Sequence, residues 1–252
     1  MNELLVVGAR EGGLGVHIAQ EAHARGWQVR TAGPGRHGHD IPWEWGPDPE
    51  GTAWELLRRM TEAPPFRPPQ HIVITIGINE PTNVMDDGGM YEQSFTHGIE
   101  RDFSVNAIAP MAILHAWFHR TWRHRVDTDH GFHHGIVISS NSAHIARSQS
   151  AGYCASKAAL SMGVRSMARA VASLEAQGRR WSLYGYEPGW IQDTQMSAEV
   201  LDRLALTGAV PHRIPGQREV PPESLARMII RNIESDSDFL NGTMLRVDGG
   251  EE

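Results

Sequence analysis

Glu3-Leu4-Leu5-Val6-Val7-Gly8-Ala9-Arg10-Glu11-Gly12-Gly13-Leu14-Gly15 is the stretch from which the rest of the chain can be read. Leu4 to Val7 is an unbroken aliphatic run, the pattern of a strand buried on both faces. Glycine then recurs at 8, 12, 13 and 15, and Val16, Ile18, Ala19 and Ala22 carry a helical pattern on to Gly26. Strand, glycine turn and helix place the N–H groups and positive end of a helix where an anion can approach the backbone closely. A diphosphate is the ligand that suits this arrangement. On this reading Gly8, Arg10, Gly13, Leu14 and Gly15 form the cradle.

Outward from that unit, strands and helices keep alternating. Trp27 to Ala32 reads as a strand and Ala53 to Met60 as a short helix, with Trp54, Leu57 and Met60 on one side. His71 to Ile76 is a mostly β-branched strand, and Asn79 to Gly98 is polar and irregular. A long helix is expected from about Ile99 to Arg123, a strand over Gly135 to Ser139 and a helix from Ala151 to about Gln177. Trp181 to Tyr186, Glu223 to Glu234 and the closing Asn241 to Gly250 complete the series. The alternation predicts a doubly wound α/β fold of Rossmann type, a mostly parallel sheet of about seven strands with helices on both faces. Ala63 to Pro69 carries four prolines and must be a connector. Since the strand after it continues the same alternation, residues 1–252 are expected to form a single domain.

Composition narrows the class. Hydrophobic residues make up 40% of the 252, enough for a proper core, and the formal charge of −7 argues against a nucleic-acid or anionic-membrane partner. Cys154 is the sole cysteine, so no intrachain disulfide forms and a cytoplasmic setting is expected. Leu4 to Val7 is far shorter than the ~20 apolar residues of a membrane span. His124, His130, His133 and His134 crowd the stretch between Arg123 and Gly135 and raise the idea of a metal. No carboxylate-plus-histidine pattern at helical spacing accompanies them, so an exposed loop without metal is expected.

The chemistry points to Tyr153-Cys154-Ala155-Ser156-Lys157, with Ser140 at the end of the preceding strand. Tyrosine and lysine four apart share one face of a helix. A phenol titrates near pH ~10, and a nearby ammonium draws that value down towards the working range of a proton shuttle. At the end of the second strand stands Gly33-Pro34-Gly35-Arg36. No carboxylate there repels a 2′-phosphate, while Arg36, and Arg10 in the first loop, have the charge to bind one. That favours NADP(H) as cofactor, with NAD(H) the alternative.

Together these segments resemble the short-chain dehydrogenase/reductase family, the single-domain branch with Tyr-x-Ala-Ser-Lys, and the resemblance runs from Glu3 to Gly250. It extends to Asp40-Ile41 (the pair that contacts adenine), Gly77, Val105-Asn106-Ala107, the turn Pro188-Gly189-Trp190-Ile191 with Thr194, and the closing Asp248-Gly249-Gly250. The resemblance implies that Tyr153 gives or takes a proton, Ser140 binds the carbonyl oxygen, and Lys157 lowers the Tyr153 pKa and holds the nicotinamide ribose. It also implies that Asn106 kinks its helix and anchors a proton relay, helped by the missing donor of Pro110. Pro188, Gly189, Ile191 and Thr194 are then expected at the nicotinamide, and residues 194–221 as a lid over a small carbonyl or alcohol substrate.

Three departures stand out. Val7 replaces a threonine, and the glycine loop runs seven residues from first to last glycine where the family has six, so either one residue is extra or Gly12 replaces Gly13 at the centre. Ile74-Thr75-Ile76-Gly77 replaces Asn-Asn-Ala-Gly, and Glu187 precedes the nicotinamide turn, where small apolar residues are usual. The expected activity is the NADP(H)-linked interconversion of a ketone and a secondary alcohol. The alternative is a non-catalytic NADP(H)-binding redox sensor. Small and apolar faces on the Tyr-Lys helix, with the family resemblance, suggest a homodimer or homotetramer. His144 is placed at the edge of the substrate pocket.

Overall fold

The computed structural model describes residues 2–34, 39–62, 68–80, 92–124, 132–147, 150–173, 180–207, 219–235 and 238–251. Seven strands, β1 (Glu3–Val7), β2 (Gln28–Gly33), β3 (Ile41–Pro42), β4 (His71–Ile74), β5 (His133–Ile138), β6 (Trp181–Pro188) and β7 (Met244–Val247), make one sheet. Their order is β3-β2-β1-β4-β5-β6-β7, and each neighbouring pair is parallel. The chain therefore reverses its direction of winding between β1 and β4, which opens a crevice at the carboxyl ends of those strands. This is the doubly wound fold the alternation predicts.

Aliphatic strands are explained by what covers them. On one face α1 (Leu14–Ala24) packs against α7 (Pro222–Glu234), with Leu225, Ile229, Ile230 and Ile233 buried beside Leu4, Val6 and Val73. On the other, α2 (Pro49–Glu62), α4 (Ala109–His124) and α5 (Ala151–Ala172) bury Leu56, Leu57, Trp117, Leu160 and Val164 against Leu5, Val7 and Ile72. Each such side chain contributes about 1.5–3 kcal/mol through its burial. All five residues of β1 are buried, including Glu3.

Several boundaries differ from the sequence reading. Helix α2 starts four residues earlier than Ala53. Helix α3 (Glu92–Phe103) begins inside the stretch taken as irregular, and α5 ends at Ala172 rather than near Gln177. Residues 63–67 of the proline connector lie outside the described residues. The expected long helix is broken by a π-turn at Ser104–Ile108 before α4 resumes. Pro110 has no N–H to return to the helix, so a slip in the hydrogen-bond register is least costly there.

The histidine stretch is corrected more sharply. His133 and His134 are strand residues of β5, 2% and 0% exposed, and not part of an exposed loop. His133 stacks on Trp181 with centroids 5.1 Å apart, and His134 lies against His71, Phe132 and Tyr184. Both imidazoles serve as aromatic core. The His124 side chain and His130 lie outside the described residues. Among the described residues no group of three or more His, Cys, Asp or Glu is arranged to hold a metal, and no helix is long and apolar enough to cross a membrane.

Candidate active site

The crevice holds a cleft of about 820 Å³. Its floor is the glycine loop. Gly8 has φ +91°, and a Cβ there would lie 2.9 Å from Ile76 N and Thr75 Oγ1, so only glycine fits. Gly15 is as crowded, with Ala9 Cα and Gly8 O 2.8 Å from an added Cβ. Thr75 fastens this crossing by donating its hydroxyl to Val7 O and Gly8 O, both at 3.0 Å. Gly13 is the N-cap of α1 and offers no side chain to its free N–H groups. Uncapped donors facing a cleft, on a loop with no room for side chains, fit the diphosphate of a dinucleotide.

The two middle glycines divide the loop between them. Gly13 N donates to Arg10 O and closes a turn, whereas Gly12 takes φ +70° and its carbonyl accepts from Gln195 N at 3.1 Å. Gln195 is the first residue of α6 (Gln195–Thr207), so Gly12 ties the glycine loop to the start of that helix. Arg10 is exposed and lines the cleft with Gly8, Gly13 and Leu14; Gly15 packs beneath it.

At the β2 end the placement differs from expectation. Arg36 lies outside the described residues. Asp40 turns back on β2, accepting from Thr31 N at 2.7 Å and Thr31 Oγ1 at 3.1 Å, and Ile41 is a buried strand residue. Neither lines the cleft. Because β3 follows Asp40 instead of preceding it, the residues that reach the cleft there are Trp43, Glu44 and Trp45. Their alternation of aromatic and acid after a short strand was the available sequence signal.

Ser140, Tyr153 and Lys157 meet further along. Ser140 follows β5 and caps a short 3₁₀ turn, Asn141–Ala143, accepting from Ser142 N at 3.1 Å. Tyr153 and Lys157 stand one turn apart on α5, and both line the cleft. Lys157 is 3% exposed, donates to Ile138 O at 3.1 Å and lies 5.7 Å from the centroid of the Tyr153 ring. Burial pulls its pKa down to about 8, against the upward pull of Asp102. Tyr153 is pushed up to about 12, chiefly by burial, while its hydrogen bond with Ser140 acts the other way. The expected lowering of the phenol is therefore absent from this state: desolvation outweighs the charges around it.

Asn106 sits in the π-turn and does not line the cleft. Its Oδ1 accepts from Ile78 N at 2.8 Å, and its Nδ2 donates to Ile78 O at 2.9 Å and Ser156 Oγ at 3.1 Å. The π-turn aims this amide at the backbone of Ile78 and at Ser156, the residue before Lys157. A Cβ on Gly77 would lie 3.3 Å from Lys157 Nζ and 3.4 Å from Asn106 Oδ1, so Gly77 keeps that passage open.

Pro188, Gly189, Ile191 and Thr194 line the opposite wall. Gly189 N donates to β7 through Val247 O at 3.0 Å, Ile191 bridges Val220, and Thr194 accepts from Ser197 N at 3.2 Å at the head of α6. Glu187, odd by sequence, is buried: it accepts from Ser161 Oγ at 2.7 Å and lies 2.9 Å from His144 Nε2. His144 is thus engaged with Glu187 and is not among the cleft-lining residues. Sequence reading missed Arg147 and Glu251, which line the cleft as an ion pair. Only the fold brings these two together.

Comparison with known proteins adds to this geometry. The family model described as Enoyl-(Acyl carrier protein) reductase matches residues 71–252. The 5-keto-D-gluconate 5-reductase of Escherichia coli (strain K12) is 31% identical over 115 residues, 46% of this chain, and the match spans 43% of that relative's length. The 3-oxoacyl-[acyl-carrier protein] reductase of Brucella melitensis, solved in complex with NAD, superposes with a TM-score of 0.76 at 19% identity, over 99% of this chain and 97% of its own. The ligand-free aldohexose dehydrogenase of Thermoplasma acidophilum gives 0.75 at 18% identity, over 99% and 93%. With the family model matching well over half its length, and with Tyr153, Lys157 and Ser140 gathered at the crevice of this sheet, the chain belongs to the short-chain dehydrogenase/reductase family.

Proposed function

We propose that the protein is an NADP(H)-dependent oxidoreductase that interconverts a ketone and a secondary alcohol, and that residues 1–252 act as one domain with residues 194–221 as the substrate lid. The observation that carries this reading is the convergence of Ser140, Tyr153 and Lys157 in a cleft that begins at an uncapped helix N-terminus. The nicotinamide, when bound, supplies or receives the hydride. Ser140 holds the carbonyl oxygen. Tyr153, which is protonated at neutral pH with its pKa near about 12, gives that oxygen its proton, and so is set for reduction. Lys157 is the buried cation beside it and holds the nicotinamide ribose. Asn106 keeps the backbone at Ile78 in place and anchors the relay that returns the proton. Pro188, Gly189, Ile191 and Thr194 position the nicotinamide. The name of the E. coli relative, a ketone reductase, is consistent with this class of reaction.

Arg10 and the small residue Gly33 favour NADP(H) over NAD(H). Glu44, a carboxylate on the same part of the cleft, favours NAD(H) instead, because it repels a 2′-phosphate. A panel of cyclic and β-keto carbonyl compounds, assayed with each cofactor, tests the whole reading. NADPH is expected to give the higher kcat/KM, and Arg10→Ala to narrow the difference. Oxidation of neither cofactor by any carbonyl, with NADPH still bound, would favour the redox-sensor alternative. We further propose a homodimer or homotetramer in a cytoplasmic setting, built on α5, whose Met162 is 62% exposed.

A further inference from the structure

Close to Tyr153 the cleft contains charged groups that this mechanism does not use. Arg147 Nη1 lies 2.6 Å from Glu251 Oε1, and Nη2 donates to Asn141 Oδ1 at 3.3 Å. Asn141 Nδ2 in turn donates to Glu251 Oε2 at 2.8 Å, which closes a triangle of Arg147, Asn141 and Glu251. All three line the cleft, and Asn141 directly follows Ser140. Glu251, in the segment after β7, is 3% exposed, and its carbonyl is fixed by Arg246 Nη2 at 2.6 Å. Arg147 is near enough to Tyr153 for its charge to favour the phenolate.

A guanidinium presents five N–H donors in a rigid fork. Glu251 engages Nη1 and Asn141 engages Nη2, which leaves the remaining N–H groups of the fork as donors for a planar anion. Burying such a pair is costly, and a hydrophobic pair of the same volume would serve the fold as well. With Ser140 and Tyr153 assigned to the carbonyl oxygen and Lys157 to the ribose, a further cation in the cleft meets another part of the substrate. Resting on the ketone-reductase reading above, we propose that the substrate is a keto acid whose carboxylate is held by Arg147. Glu251 and Asn141 are positioning residues for that guanidinium, and Glu251 also balances its charge while the site is empty. The carboxylate takes no part in the bond changes; it fixes which ketone faces Tyr153.

The test compares acetoacetate and levulinate with their methyl esters, using NADPH and NADH, in the parent, in Glu251→Gln and in the double variant Arg147→Gln/Glu251→Gln. The double variant removes both charges and so leaves neither buried alone. The parent should prefer the acids, and the acid-over-ester ratio of kcat/KM should fall by roughly 10-fold or more in the double variant, mostly through KM. Glu251→Gln, which frees the guanidinium from its opposing charge, should lower KM for the acids. A parent that prefers the esters, or an unchanged ratio in the double variant, overturns the inference while leaving the reductase reading intact. If the parent reduces neither acid nor ester, the reductase reading is decided by the wider carbonyl panel and not by these compounds. Saturation-transfer NMR with valerate then decides the anion site: a signal lost in the double variant supports it, and no signal, or an equal one, overturns it.

Discussion

Tyr153 and Lys157 are displaced from their ordinary titration ranges by the same burial, in opposite senses. Tyr153 rises to about 12 and stays protonated at neutral pH; Lys157 falls to about 8 and is close to losing its charge. The sign for activity follows from the lysine: the ammonium is present below about 8 and is lost as pH rises through it. A pH profile of kcat/KM should therefore decline above about 8, and Lys157→Arg, which cannot deprotonate in that range, should flatten whatever activity remains. A parent profile level from about pH 7 to 10 would reject the assignment. The Tyr–Lys pair was legible in the sequence because four-residue spacing fixes a shared helix face. Its titration was not, since burial is set by the strands and loops that close over the helix. Glu187 shows the same limit: its oddness was visible, but its partners Ser161 and His144 come from other elements.

At the scale of elements, the π-turn between α3 and α4 is the least ordinary feature, and Pro110 announces it. What Pro110 does not announce is the use made of the turn, which carries Asn106 to the segment after β4 to grip both polar groups of the Ile78 backbone. Asn106→Ala leaves those part-buried groups without their amide and should cost about 1–3 kcal/mol by urea unfolding. Asn106→Asp keeps the acceptor only, and should fall between. A loss below about 0.5 kcal/mol for Asn106→Ala would mean that the turn stands without its side chain. The glycine loop was readable as a cradle, because positive φ and close crossing demand glycine whatever the rest of the fold. The work of Gly12 was not readable, since its partner Gln195 lies far along the chain.

For the molecule as a whole, the mostly parallel sheet and the two helical layers could be read from alternation, whereas His133 and His134 looked like loop because polar residues usually lie outside. His134 is buried with neither ring nitrogen hydrogen-bonded, and burial lowers its pKa from 6.5 to about 4. A depressed imidazole contributes stability in full above about 6.5 and loses it as pH falls towards about 4, up to about 3 kcal/mol. Melting temperatures should drop over that window, and His134→Phe, which keeps the aromatic contacts without the proton site, should soften the drop while changing little at about pH 8. An identical pH dependence in the variant would show that other groups set it. The proposed passage of a proton from Tyr153 to a carbonyl, in a protein that binds the reduced nicotinamide, is tested most directly by Tyr153→Phe. Oxidation of NADPH by a carbonyl that the parent reduces, followed beside NADPH binding, should show turnover lowered by roughly 10²-fold or more with affinity nearly unchanged. A Tyr153→Phe protein that turns over as fast as the parent would contradict it.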